Sequence, residues 1–214
     1  MNHNKLITQK ARENLKPLGF VQSGKSRIWY KDNGWWSVVV EFQPSSHTRG
    51  TYVNVSVSHF FYESAGWAFH IPNRLPGFAN AEDDSDFEHK VDKITIEAAT
   101  LASHLLEKYK SVEEFISWYS RDERRSIWDD YYCGLFKALS GNLDEAKCYF
   151  QNICDSKYDR TWEDAVQRRA GEFVFLLSNP DAFKSSLQGI VLRTRNLMCL
   201  NDYKEGEIVL PWAS

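Results

Sequence analysis

The sequence predicts an α+β protein: an N-terminal helix and antiparallel sheet, followed by a C-terminal all-helical region of antiparallel helical hairpins. Three observations carry this. Apolar residues alternate with period two between Ile28 and Phe60, recur with helical period before that stretch, and recur so again from Phe87 onward. The expected division is residues 1–118 for the sheet-bearing part and 119–214 for a helical region packed on it, ending in an extended tail.

Taken in order, Ile7, Ala11 and Leu15 make one stripe of a helix over 4–16, which Pro17 terminates and Gly19 turns. Ile28 and Tyr30 alternate with Arg27, Trp29 and Lys31, and Asp32-Asn33-Gly34 supplies a hairpin turn. Trp36, Val38, Val40 and Phe42 share one face of the next strand. In 51–60, Val53, Val55 and Val57 lie opposite Tyr52, Asn54, Ser56 and Ser58. That pattern describes a sheet with one face on helices and the other partly wet. Gly66, Pro72, Pro76 and Gly77 break the pattern, so 62–86 reads as a long loop.

A long helix is then expected from Phe87 to Lys108, with Val91, Ile94, Ala98, Leu101 and Leu105 inward. Ser111–Glu114, Ser120–Glu123, Asn142–Glu145 and, more weakly, Thr161–Asp164 have the spacing of helix-opening capping boxes. Asn179-Pro180 has that of an N-cap with Pro at the first helical position. Within Trp128–Cys154, Gly134, Gly141, Ala146 and Phe150 resemble one tetratricopeptide unit. A degenerate second copy lies near Gly171 and Asn179–Phe183, so two helical hairpins are expected. The apolar tail Glu207–Trp212 reads as a strand or extended clip.

The chain is rich in aromatics, with 8 Trp, 10 Tyr and 13 Phe, many in adjacent pairs. Rings at neighbouring strand positions cannot share one core, so some must cover a second layer or meet a partner. Net charge is −3, too small to imply nucleic acid or an acidic ligand, but it is unevenly spread. Residues 1–31 carry seven Lys or Arg against Glu13, and Glu82, Asp83, Asp84, Asp86 and Glu88 place five acids in seven positions. Such runs are ordinarily solvated; read sharply, they complement a charged partner.

Cys133, Cys148, Cys154 and Cys199 include no Cys-x-x-Cys pair and fall in apolar helical patterns, which fits free thiols in a reducing compartment. With no apolar signal core and no apolar run near membrane length, a cytoplasmic address is expected. Nucleophile-elbow, Walker, dinucleotide and His-Glu-x-x-His motifs are lacking. The six histidines show no i, i+4 pair, and the acidic run lacks the Gly of a calcium loop. No metal, cofactor or catalytic residue is therefore expected. An enzyme whose site is dispersed along the chain stays open as a further alternative.

One resemblance adds to this. Leu15-Lys-Pro-Leu-Gly-Phe20, Ser23-Gly24-Lys25 with Trp29-Tyr30, Gln43-Pro-Ser-Ser46 and Tyr52-Val-Asn-Val-Ser-Val57 resemble a bacterial domain-of-unknown-function family over about residues 3–118. The resemblance implies an N-terminal helix, antiparallel strands and an accessory role such as immunity against toxins. The expected function is thus non-enzymatic binding of one protein partner, with Trp35, Trp36 and Arg49 as anchors and the 82–88 acids facing a basic toxin. The alternative is nucleic-acid or nucleotide binding through Lys25, Arg27, Trp29 and Lys31, where cations interleave with rings.

Overall fold

The computed structural model describes residues 3–45, 48–80, 84–121, 126–157, 160–200, 203 and 207–212. The fold is α+β, as the periodicities predict, and divides into two units. One comprises residues 1–107 with 193–208, the other 108–192 with 209–214. The division falls before α3 rather than at 118, and part of the C-terminal stretch belongs with the sheet.

In the first unit, α1 (His3–Leu15) buries Leu6, Ile7, Ala11 and Leu15 and runs into a 3-10 turn, Lys16–Leu18. Gly19 ends that turn at φ 85, a left-handed conformation that a side chain would strain. Six antiparallel strands follow: β1 (Val21–Gln22), β2 (Ile28–Asp32), β3 (Trp36–Pro44), β4 (Gly50–His59), β5 (Ile71–Arg74) and β6 (Ala79–Asn80). Their order is β1-β2-β3-β4-β5, with β6 also on β4. The stretch expected as a long loop therefore holds two short strands. Pro72 on β5 conceals the strand signal, because proline is read as a breaker although an outer strand tolerates it.

Register fixes the two faces. Trp29, Val40 and Val55 align across the sheet, as do Val38, Val57 and Ile71, and all of them are buried. They share the core with the stripe of α2 (Asp84–Lys108): Phe87, Val91, Ile94, Ala98, Ala102 and Leu105. Leu101, expected in that stripe, is half-buried, and Ala102 takes its place. Burying these side chains at about 1.5–3 kcal/mol each is the main stabilising term of the unit. Asn14 donates to Thr95 Oγ1 at 3.0 Å, fixing α1 beside α2.

The second unit is helical: α3 (Val112–Tyr119), α4 (Ile127–Leu139), α5 (Leu143–Asp155), α6 (Thr161–Leu176) and α7 (Pro180–Leu197), whose residues from Arg193 onward belong with the sheet. The box expected at Ser120–Glu123 lies partly outside the described residues. Ser126 caps α4, accepting from the Asp129 amide while the Asp129 carboxylate accepts from the Ser126 amide at 2.7 Å. Asn179 caps α7 as its spacing predicts, accepting from the Ala182 amide at 3.2 Å.

The tetratricopeptide-like spacing has a physical basis. A Cβ on Gly134 would lie 2.8 Å from the Phe150 ring, so α4 and α5 approach as closely as they do because Gly134 has none. The rings along α4 are covered by α3. Phe115 of α3 stacks on Phe136 at 4.8 Å and Tyr119 on Tyr132 at 5.3 Å, leaving α4 buried from Tyr131 to Phe136.

Candidate functional site

The sheet's second face starts closed and ends open. At its closed end Asp32, Ser37 and Ser58 lie in one row. There Arg195 at the end of α7 donates to both Asp32 carboxylate oxygens at 2.8 and 2.7 Å and to Gly34 O at 2.7 Å. In the next row Trp67 lies on Tyr30 with ring centroids 4.6 Å apart, and Val39 and Ser56 are fully buried. Beyond that the cover stops.

The open rows are Ile28, Glu41, Asn54 and Arg74 on β2 to β5, then Gln43 and Tyr52 on β3 and β4. Their side chains form one connected network. The Asn54 amide donates to Glu41 at 2.9 Å and to Gln43 at 3.1 Å, and Arg74 Nε donates to Asn54 Oδ1 at 3.0 Å. A second Arg74 nitrogen donates to Gln43 Oε1. The guanidinium lies 4.7 Å above the Tyr52 ring, whose other contact is Phe78 at 4.6 Å. Gly50 makes this possible: at φ 154 it leaves no room for a Cβ against the Ala79 carbonyl and the Phe78 ring. Phe78 also walls a depression of about 180 Å³ shared with Lys90, Lys93, Ile94 and Glu97. It is smaller than the roughly 300 Å³ at which small-molecule sites begin.

Arg74 is exposed, and Glu41, Gln43, Tyr52, Asn54 and Phe78 are half-buried. Rigid strands thus present a planar array of an arginine, an aromatic ring, two amides and a carboxylate. Arginine and tyrosine dominate binding energy at protein interfaces because they combine large contact area with directional donors.

No family model, curated protein or solved structure matches the chain.

Most residues singled out from sequence lie elsewhere. Trp35 and Trp36 are 9% and 6% exposed, with Trp35 stacked on Phe61 at 5.5 Å, so these rings fill the interior and present little surface to a partner. Adjacent aromatics find cover on both sides because this end of the sheet is buried on both faces. Trp29, at 3% exposed, faces the core and offers no face to a base. Lys31 lays its aliphatic chain beside Gly19, Lys25 is exposed in a turn, and Arg27 donates to Asn4 of α1. Partial burial lowers the Arg27 pKa. Arg49 is exposed in the stretch before β4.

Of the acidic run, Glu82 and Asp83 lie outside the described residues, as does the side chain of Asp84, which opens α2. Asp86 pairs with Lys90, and Glu88 lies 3.7 Å from Lys10. Lys10 also reaches Asp92 at 3.2 Å, and that bond raises its pKa against the opposing effect of desolvation. Part of the charge asymmetry is thus α1 neutralising α2 within the unit. Acids in the first turn of a helix also complement its dipole.

Among the described residues no group of three or more metal-ligating side chains stands together, and no helix is long and apolar enough to cross a membrane. Tyr52 and Asn54 were legible as the wet side of β4. Arg74 was not, because its strand hides behind Pro72.

Proposed function

We propose that this is a non-enzymatic protein-binding protein whose docking surface is the open end of the sheet. The carrying observation is Arg74 over Tyr52, held by Asn54 and Gln43 on adjacent strands. Side chains prearranged in this way lose less entropy on binding than mobile loop residues do. The finer role, inhibition of a toxin in a bacterial cytoplasm, rests on the resemblance of residues 3–118 and is carried by the same surface. The acidic start of α2 is a weaker contact, since Asp86 and Glu88 already have cations beside them. The nucleic-acid alternative is disfavoured by the burial of Trp29, which removes a stacking ring from among its cations.

The test is capture from lysate with the wild-type chain, Arg74→Ala and Tyr52→Ala. A stoichiometric protein retained by the wild type and by the remote variant Phe175→Ser, but lost by both surface variants, supports the reading. Equal capture by all four chains would remove this surface from the function.

A further inference from the structure

The pattern of the open face carries information about its partner. Glu41, Asn54 and Arg74 are cross-strand neighbours on β3, β4 and β5, so Asn54 occupies the middle, with Glu41 rooted one strand to one side and Arg74 one strand to the other. Strands are spaced about 4.8 Å apart, so the backbone positions of the two residues flank β4 symmetrically, while the Arg74 guanidinium folds back over Tyr52 toward Gln43. Among the described residues neither has an opposite charge at ion-pair distance. The partners of Glu41 and Arg74 are the amides of Asn54 and Gln43 and the Tyr52 ring.

A two-fold axis lying along β4 in the plane of contact exchanges the two sides of the strand. It therefore sets the Glu41 position of one copy over the Arg74 position of the other, and the reverse, so that an Arg74 side chain turned outward from Tyr52 meets the facing carboxylate. Tyr52, also on β4, falls near the axis and meets its own counterpart. Stacked sheets lie about 10 Å apart, within reach of Glu and Arg extended toward each other. An isologous contact needs this kind of self-complementarity, in which each surface carries both halves of every pair.

We infer that the open face of the sheet pairs with the same face of a second copy of this chain, joined by two Glu41–Arg74 contacts about a two-fold axis along β4. The inference rests on the reading of this face as the docking surface and gives that surface a partner. Two open rows make a small patch, so the association is weak and concentration-dependent. A protein partner of another kind would compete for the same residues.

Analytical ultracentrifugation over a concentration series tests it, with circular dichroism melts establishing that each variant is folded. The wild-type chain is expected to show a monomer–dimer equilibrium. Glu41→Arg sets Arg against Arg, and Arg74→Glu sets Glu against Glu, so each alone weakens the dimer by about a hundredfold or more. Mixed one to one, the two variants restore it, because both contacts are again of opposite sign. A wild-type chain monomeric up to about millimolar concentration overturns the inference. So does a dimer indifferent to either reversal, or a mixture that stays monomeric. If the monomeric wild type still captures another protein through Tyr52 and Arg74, self-pairing falls while the docking surface stands.

Discussion

The Asp32–Arg195 pair is a buried ion pair that ties the end of α7 to β2. Both side chains are 3% exposed, the pairing is bidentate, and the guanidinium lies 5.0 Å from the Tyr203 ring. Two charges out of water gain little net stability together, but stranding one of them is costly. Asp32→Ala is therefore expected to destabilise by about 3–5 kcal/mol in urea unfolding, whereas Asp32→Leu combined with Arg195→Met recovers most of that loss. A double variant no better than the single would show that the pair contributes more than its desolvation. A smaller opportunity lies at Cys199, which holds φ 55 just past the end of α7, where the Leu200 amide donates back to Arg195 O at 2.9 Å. Helix ends of this shape favour glycine, so Cys199→Gly should raise the unfolding midpoint by the equivalent of about 1 kcal/mol.

Among the elements, α5 and α6 share a carboxamide clamp beside the packing of Phe150 on Phe173. Gln167 Nε2 donates to the carbonyls of Ile153, Cys154 and Ser156 at 3.0, 2.8 and 3.0 Å, capping the α5 C-terminus from outside. Gln167→Leu leaves those carbonyls without this donor, and a loss of about 1–3 kcal/mol is expected, with faster hydrogen exchange confined to the last turn of α5. Unchanged exchange there would mean that water replaces the amide at no cost. The α4–α5 approach has its own test. Gly134→Val forces branched carbon into the buried Phe150 ring, and the overpacking should cost about 1–3 kcal/mol. Phe150→Leu in that background should return part of it, which a general loss of helicity would not allow.

Across the whole molecule, a loss of stability in acid is expected from His59 and His70, whose rings lie 5.3 Å apart at the end of β4. His70 Nδ1 accepts the His59 amide proton at 2.9 Å, so the folded state uses the neutral ring. Burial lowers the His70 pKa to about 3, and burial together with His70 lowers that of His59 well below 6.5. Unfolded histidines take up protons near 6.5, so the contribution is complete above that pH. Below it the His70 contribution falls by about 1.4 kcal/mol per pH unit as the pH drops toward 3, and His59 loses stability in the same direction. Urea midpoints at pH 7 and pH 5 should differ less in His70→Gln, which keeps an acceptor but does not titrate; an equal difference would assign the acid sensitivity elsewhere. Period-two valines, helical stripes, the Asp32-Asn33-Gly34 turn and Asn179-Pro180 were all readable in the sequence, because each signal is local and repeats within a few residues. Local pattern thus determined the class of fold and the inner face of β3 and β4. What covers the other face was decided in three dimensions. Trp35 and Trp36 look like anchors until the chain buries both sides of their strand, and Lys10 looks unopposed until α2 brings Glu88 and Asp92 beside it. Glu41 and Arg74 stand thirty-three positions apart in the chain and one strand apart from Asn54 in the sheet. Their relation is set by strand register, which depends on long-range pairing that no short window of sequence contains.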